Sequence, residues 1–75
     1  MPNKQNLILK RFAENLSDVR ASKELSLQQV ASRCELSRTK IHDIETGEIN
    51  VTLITLFELA KGLGVSPGKL VDFSY

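Results

Sequence analysis

A short polar segment around residue 40 carries side chains suited to recognition by hydrogen bonding. Arg38 can donate two parallel hydrogen bonds to the O6 and N7 atoms of guanine, which contributes about 1 to 3 kcal/mol of discrimination between bases. Thr39 can offer its hydroxyl to a base edge and its methyl group to thymine, and Asp43 can accept from the amino group of cytosine. The types and spacing predict contacts with base edges by four residues: Arg38, Thr39, His42 and Asp43.

Three of the polar or reactive side chains in this part of the chain also have plainer interpretations. Asp43 lies three residues after Lys40, so an ion pair on the helix surface explains it equally well. His42 is typical of a solvated helix position, and Cys34 of a core position. Base recognition therefore rests first on Arg38.

Catalytic and metal-binding patterns are missing from the sequence. The chain has one cysteine and one histidine, and neither has a second Cys or His at a metal-ligand spacing. No nucleophile–base pair and no Gly-rich phosphate loop is present. The sequence predicts a protein that is not an enzyme and that needs neither a metal nor a cofactor.

The segment 26–47 must position the polar side chains, and its pattern predicts two short helices joined by a brief turn. The second half of the segment has Ile41 and Ile44 as its buried pair. Glu35 to Ser37 leave about three residues of connection, a length typical of a helix-turn-helix. The first half has apolar residues at the spacing i, i+3, i+4 and i+7: Leu27, Val30, Ala31 and Cys34.

A repeated signature marks the start of four predicted helices. Each copy has an apolar residue, a Ser or Thr as N-cap, and a second apolar residue four positions later, which forms a hydrophobic staple. Gln29 completes a capping box with Ser26, and Pro67 follows Ser66 at the first helical position. The four copies are Leu25-Ser26 with Val30, Leu36-Ser37 with Ile41, Val51-Thr52 with Leu56, and Val65-Ser66 with Leu70.

A longer first helix precedes these four. Glycines typical of helix ends are Gly47 after the third helix and either Gly62 or Gly64 after the fourth. The inward face of the first helix is expected to hold Ile8, Leu9, Phe12, Leu16 and Val19. The sequence therefore predicts an all-α fold, a compact five-helix bundle forming a single domain over residues 1–75 with its core at about 6–73. The expected helices are 6–22, 27–34, 38–45, 53–62 and 67–73.

Composition and charge limit the function classes. With 75 residues, 41% of them hydrophobic, the chain is large enough for one core and marginal in stability. No long apolar run and no signal peptide is present, so we expect a cytoplasmic, nucleoid-associated protein without membrane contact. The net charge of +1 predicts modest non-specific affinity for nucleic acid, with greater dependence on shape, backbone N–H groups and dimerisation.

The segment Ile41-His42-Asp43-Ile44-Glu45-Thr46-Gly47 resembles the I-x-x-I/L-E-x-G ending of the recognition helix in the phage-repressor and Cro-type (XRE-like) helix-turn-helix family. The resemblance spans about Leu16 to Phe73 and includes Arg20, Ala31 and the stretch Thr52 to Val65. It implies a lambda-repressor-like DNA-binding domain. It also implies a sequence-specific transcriptional regulator of double-stranded DNA.

The same resemblance assigns further roles. Arg20 and Glu45 match a salt bridge that orients the recognition helix in the family. The chain departs from the family pattern at Leu27, where Gln is usual, and at Glu35, where a small residue such as Gly is common. Because a left-handed conformation at Glu35 would be strained by about 1 kcal/mol, we expect this turn to follow a different path.

Phosphate contacts are expected near helix N-termini, where unpaired N–H groups and the positive end of the helix dipole favour anions. Capping already explains Thr52 and, for the most part, Ser37. The candidates are Gln28, Ser37, Lys40, Asn50 and Thr52.

The C-terminal segment offers more apolar side chain than one short helix can bury. A homodimer is the expected use, since two recognition helices about 34 Å apart would match a palindromic operator. Its contact candidates are Val71, Phe73 and Tyr75. The alternative is that Leu70 and Phe73 close the core.

Family members include repressors, restriction-modification controller proteins and antitoxins. The expected function is that of a dimeric repressor or controller-type protein. An antitoxin-type regulator and a small helical protein-interaction module without DNA binding are the alternatives. A protein partner such as a toxin or RNA polymerase is left open.

Overall fold

The computed structural model describes the backbone of residues 4–75 and the side chains from Asn6 onward. The described residues form no strand, and none of their helices is long and apolar enough to cross a membrane. The prediction of an all-α, five-helix fold is confirmed. The helices are α1 Lys4–Ser22, α2 Leu27–Ala31, α3 Arg38–Glu45, α4 Leu53–Leu63 and α5 Pro67–Leu70.

Side-chain caps begin three of the helices, as the repeated signature predicts. Each hydroxyl accepts a hydrogen bond from the backbone N–H three residues later: Ser26 from Gln29, Ser37 from Lys40 and Thr52 from Thr55. The capping box is complete, because the Gln29 side chain accepts from the Ser26 N–H at 2.8 Å. Ser66 is the exception, since its side chain makes no cap bond and its carbonyl accepts from the Lys69 N–H instead.

One apolar core joins all five helices. The predicted inward face of α1 is confirmed for Phe12, Leu16 and Val19, whereas Ile8 and Leu9 are half-buried beside an open groove. The residues that are buried and belong to this core are Phe12, Leu16, Val19, Val30, Ile41, Ile44, Leu59, Ala60, Leu63 and Leu70. Cys34 packs against the core, as expected.

Two helices end earlier than predicted. α2 ends at Ala31 rather than at residue 34, and α5 ends at Leu70 rather than at residue 73. After α2 the backbone tightens, because the N–H groups of Arg33 and Cys34 donate to carbonyls three residues back. The connection between α2 and α3 therefore spans residues 32–37, and the prediction of about three residues was wrong.

The left-handed backbone position lies elsewhere than at Glu35. Among the described residues, Glu24 is the only non-glycine with positive φ, at 55° just after α1. Glu35 therefore does not adopt the strained left-handed conformation. At the end of α4, Gly64 is the left-handed residue, with φ 71°.

Gly62 lies inside α4 and has a packing role instead. A Cβ atom at this position would lie 2.8 Å from both Cγ1 and the carbonyl oxygen of Val30 on α2. Real Cβ atoms essentially never approach other atoms this closely. The missing side chain therefore sets how near α2 can come to α4.

We expect Gly62→Ala to lower the free energy of unfolding by about 1 to 3 kcal/mol, because α2 must move away from α4. Better helix propensity offsets part of this loss, by about 1 kcal/mol. Urea denaturation followed by circular dichroism measures the change. Gly68→Ala is the matched control, since a Cβ there meets no atom within 4 Å. Equal stability of the two variants would contradict the packing role.

Candidate nucleic-acid interface

α3 presents two different faces. Ile41 and Ile44 are fully buried in the core, as predicted. Arg38, Thr39 and His42 are exposed, and Asp43 is half-buried. All four predicted base readers therefore lie on one eight-residue helix, away from the core. Their contacts with DNA remain a prediction.

Asp43 lies next to His42 rather than Lys40. Its Oδ1 atom is 3.5 Å from Nδ1 of His42. The ion pair considered between Lys40 and Asp43 does not occur among the described side chains. Lys40 is exposed on α3 and remains a candidate for phosphate contact.

A bidentate ion pair fixes the C-terminal end of α3. Arg20 Nε lies 2.8 Å from Glu45 Oε2, and its Nη2 lies 2.9 Å from Glu45 Oε1. The third guanidinium nitrogen donates to the carbonyl of Leu25 at 3.0 Å. The hydrogen bond with Glu45 raises the pKa of Arg20, against a smaller opposing effect of burial. The ion pair that the family resemblance implies is therefore present.

Ser17 is a further member of this group that the sequence did not reveal. Its hydroxyl donates to Glu45 Oε1 at 3.1 Å, so both carboxylate oxygens of Glu45 have partners. Only 10% of the Glu45 side chain is exposed, and a carboxylate so nearly buried needs these donors. α1 thus holds α3 through two side chains.

The residues predicted to contact phosphate differ in whether their polar groups already form intramolecular hydrogen bonds. Gln28 and Lys40 are exposed at α2 and α3. Ser37 and Thr52 serve as N-caps, and the Thr52 hydroxyl also donates to Thr55 Oγ1. Asn50 is exposed, but its Oδ1 atom accepts from the next backbone N–H at 2.9 Å, which gives this residue a structural role.

The predicted dimer residues divide into two groups. Val71 and Tyr75 are exposed, as a contact surface requires. Phe73 is half-buried, with its ring edge-on to Phe12 at a centroid distance of 6.4 Å. Leu70 is fully buried. The alternative in which Leu70 and Phe73 close the core is thus confirmed, while a dimer contact by the half-buried Phe73 stays a prediction.

Three exposed apolar side chains on α4 were missed. Leu53 is 68% exposed, Ile54 74% and Phe57 54%. The sequence of α4 holds more large apolar side chains than one inward face can bury, so this signal was already visible in the sequence. Leu53 and Val71 line the same apolar groove beside α1, so α4 and the C-terminal segment form one surface. We call the five exposed large apolar residues of α4 and the C-terminal segment the apolar face: Leu53, Ile54, Phe57, Val71 and Tyr75.

Comparison with known proteins places this geometry among DNA-binding domains. A family model described as a helix-turn-helix domain matches residues 11–73. The control protein C.BamHI of Bacillus amyloliquefaciens is 41% identical over 64 residues, covering 84% of this chain and 79% of that protein. The control protein C.SmaI of Serratia marcescens is 46% identical over 60 residues, covering 80% and 71%.

A solved structure shares both the fold and part of the sequence. The restriction-modification controller protein C.AhdI from Aeromonas hydrophila superposes with a TM-score of 0.77 at 32% identity. The match covers 83% of this chain and 94% of that one. The helical arrangement described above is therefore similar to that of this controller protein over most of the chain.

We expect Arg20→Met to lower the free energy of unfolding by about 2 to 3 kcal/mol, less than for a fully buried pair because water reaches Arg20. The loss arises because Glu45 keeps a nearly buried charge without its main partner. In the Arg20→Met variant, the further substitution Glu45→Met should lower the free energy of unfolding much less than it does in the wild-type protein. A double-mutant cycle by urea unfolding should give a coupling of at least about 1 kcal/mol.

Arg11→Met is the matched control. Arg11 and Glu14 also form an ion pair, but at 3.5 Å with about half of each side chain exposed. This variant should change stability by less than about 0.5 kcal/mol. Additive effects of the Arg20 and Glu45 substitutions would show that the pair does not fix α3.

Proposed function

This chain belongs to the helix-turn-helix domain family, and we propose that it works as a homodimeric controller-type regulator that reads an inverted-repeat operator through α3. It is a DNA-binding transcriptional regulator, as its similarity to control proteins and their solved relatives establishes. It is not an enzyme.

The observation that carries the proposal is the division of α3 into two faces. Ile41 and Ile44 hold the helix to the core, while Arg38, Thr39 and His42 project from it. Among the described residues, the only ion-pair contact of these three is that of His42 with Asp43. An exposed Arg at the first turn of such a helix suits bidentate hydrogen bonding to guanine. We therefore assign the major-groove contacts to α3.

The apolar face supports a homodimer. Its five large side chains are each about half exposed or more, on a chain of only 75 residues. The exposed start of α4, from Leu53 to Phe57, carries no charged residue. A second copy can therefore meet this start of α4 across a two-fold axis without repulsion between like charges there. The apolar face would then be buried in the regulator that binds DNA.

The controller-type role is favoured by the similar proteins. Curated relatives from two organisms are control proteins, and a similar solved structure is that of a restriction-modification controller protein. On this proposal the concentration of the protein sets the fraction of dimer, and the dimer sets operator occupancy. A protein partner is not needed for this mode of regulation.

Selection of bound sequences from a random duplex pool, at near-physiological salt, tests the assignment of α3. The wild-type protein should enrich an inverted repeat. Arg38→Ala should lose the preference at a guanine in each half-site, with about 1 to 3 kcal/mol of discrimination removed there. Arg11→Ala is the control, since it removes the same charge from an exposed site on α1. It should leave the selected sequence unchanged.

Two results would contradict this assignment. Arg38→Ala could retain the wild-type sequence preference at every position, which would exclude Arg38 from base reading. Alternatively, the wild-type protein could enrich no sequence and bind only weakly with strong salt dependence. That second result would favour the protein-interaction module considered from the sequence.

Sedimentation equilibrium with Ile54→Lys tests the dimer. A charge at the most exposed position of the apolar face should raise the dimer dissociation constant by at least about tenfold, because it must be desolvated in the interface. Ala21→Lys adds the same charge on α1, about 18 Å along the helix from the groove residue Leu9. This control should dimerise like the wild type. Equal association of both variants would exclude the apolar face as the interface.

A further inference from the structure

We propose that Glu58 of α4 is a positioning residue for DNA recognition, because its carboxylate holds the connection that leads into α3. The backbone N–H of Glu35 donates to Glu58 Oε1 at 2.8 Å. Glu35 lies three residues before Arg38, so this bond fixes the chain close to the start of the recognition helix. The inference rests on the proposed role of α3.

Little else from outside the motif bonds to this connection. Within residues 32–37, the backbone bonds of Arg33 and Cys34 run back to α2, and the Ser37 hydroxyl serves α3. Among the described residues, Glu58 is the only side chain from outside residues 26–45 that forms a hydrogen bond with the connection. Leu36 adds apolar contact with the core, which has no preferred direction.

The bond to Glu58 holds a turn whose Glu35 N–H has no partner in α2. Glu35 does not adopt a left-handed conformation, and the connection between α2 and α3 spans residues 32–37. The Glu35 N–H makes no hydrogen bond back to α2, and because Glu35 is exposed, water would replace the Glu58 carboxylate if this acceptor were removed. Glu58 is half-buried on α4, and its ionised carboxylate is a stronger acceptor than a neutral group.

The position of α4 makes this bond a link to the whole core. Glu58 directly precedes Leu59, which is fully buried. α4 also touches α2 through the close approach of Gly62 to Val30. The hydrogen bond therefore ties the connection to α4, the same helix that sets the position of α2. Arg20 and Glu45 fix the far end of α3, and Glu58 fixes its beginning.

Two substitutions separate the hydrogen bond from the charge. Glu58→Gln and Glu58→Met both remove the negative charge and have similar helix propensities. Only the Gln side chain retains an oxygen that can accept from the Glu35 N–H. Any general gain in DNA affinity from the lost charge is common to both variants, so their ratio isolates the bond.

The measurements are dissociation constants on the inverted repeat selected by the wild-type protein and on a scrambled duplex. We expect the Met variant to bind the inverted repeat about three- to tenfold more weakly than the Gln variant, since ordering the connection must then be completed on binding. The two variants should bind the scrambled duplex equally. Their free energies of unfolding should be nearly the same.

A spectroscopic signal reports the bond directly. In ¹H–¹⁵N spectra of the free protein, the Glu35 amide proton should move upfield in Glu58→Met and stay close to its wild-type position in Glu58→Gln. An unchanged Glu35 resonance in the Met variant would overturn the proposal. Equal affinity of both variants for the inverted repeat would also overturn it, while leaving the role of α3 intact.

Failure of the proposed function has a different signature. If the wild-type protein itself selects no sequence, α3 is not a recognition helix and Glu58 has nothing to position. If the Met variant loses affinity equally on both duplexes and is also less stable, the effect is general destabilisation. Either result would overturn the inference.

Discussion

The ion pair between Arg20 and Glu45 is the interaction on which the placement of α3 depends. A helix of eight residues has little stability of its own in water and takes its position from tertiary contacts. Burial of Ile41 and Ile44 supplies most of the free energy, but apolar contact is not directional and allows the helix to slide or rotate. A bidentate guanidinium–carboxylate pair has a fixed geometry, so it restricts α3 to one orientation on the core.

α2 shows the same dependence on tertiary structure through a different device. It is only five residues long, and its last residue is followed at once by a tight turn. Its place is set by Val30, which lies against the position on α4 where Gly62 has no side chain. One short helix is therefore oriented by an ion pair and the other by steric fit. Both constraints act between residues that are far apart in the sequence.

This division between local and distant contacts explains how much the sequence could predict. The caps at Ser26, Ser37 and Thr52 were predictable, because each bond joins residues three positions apart. The ends of α2 and α5 were not, since an apolar pattern continues to Cys34 and Phe73 whether or not the backbone stays helical. Both residues pack on the core from irregular backbone.

The candidate site divides in the same way. Arg20 and Glu45 were paired only through the family resemblance, because nothing local joins residues 25 positions apart. Glu58 and Ser17 were missed, since a single carboxylate or hydroxyl on a helix has many equivalent explanations in the sequence. The exposed side of α4 could have been found, because Leu53, Ile54 and Phe57 add to an inward face that is already complete.

Charge connects these structural features to the proposed dimer. A net charge of +1 gives a single subunit few phosphate contacts, and each contact contributes to a salt-dependent affinity. Segment 26–50 contains three basic and four acidic residues, but the charge of Glu45 is neutralised by Arg20 of α1. The ion pair thus orients α3 and also neutralises one negative charge on the helix that we propose to contact DNA. Joining two subunits makes binding of the second half-site intramolecular, so a weakly charged domain can reach useful affinity. If the proposed dimer forms through the apolar face, this face is as necessary for operator binding as the proposed base contact of Arg38.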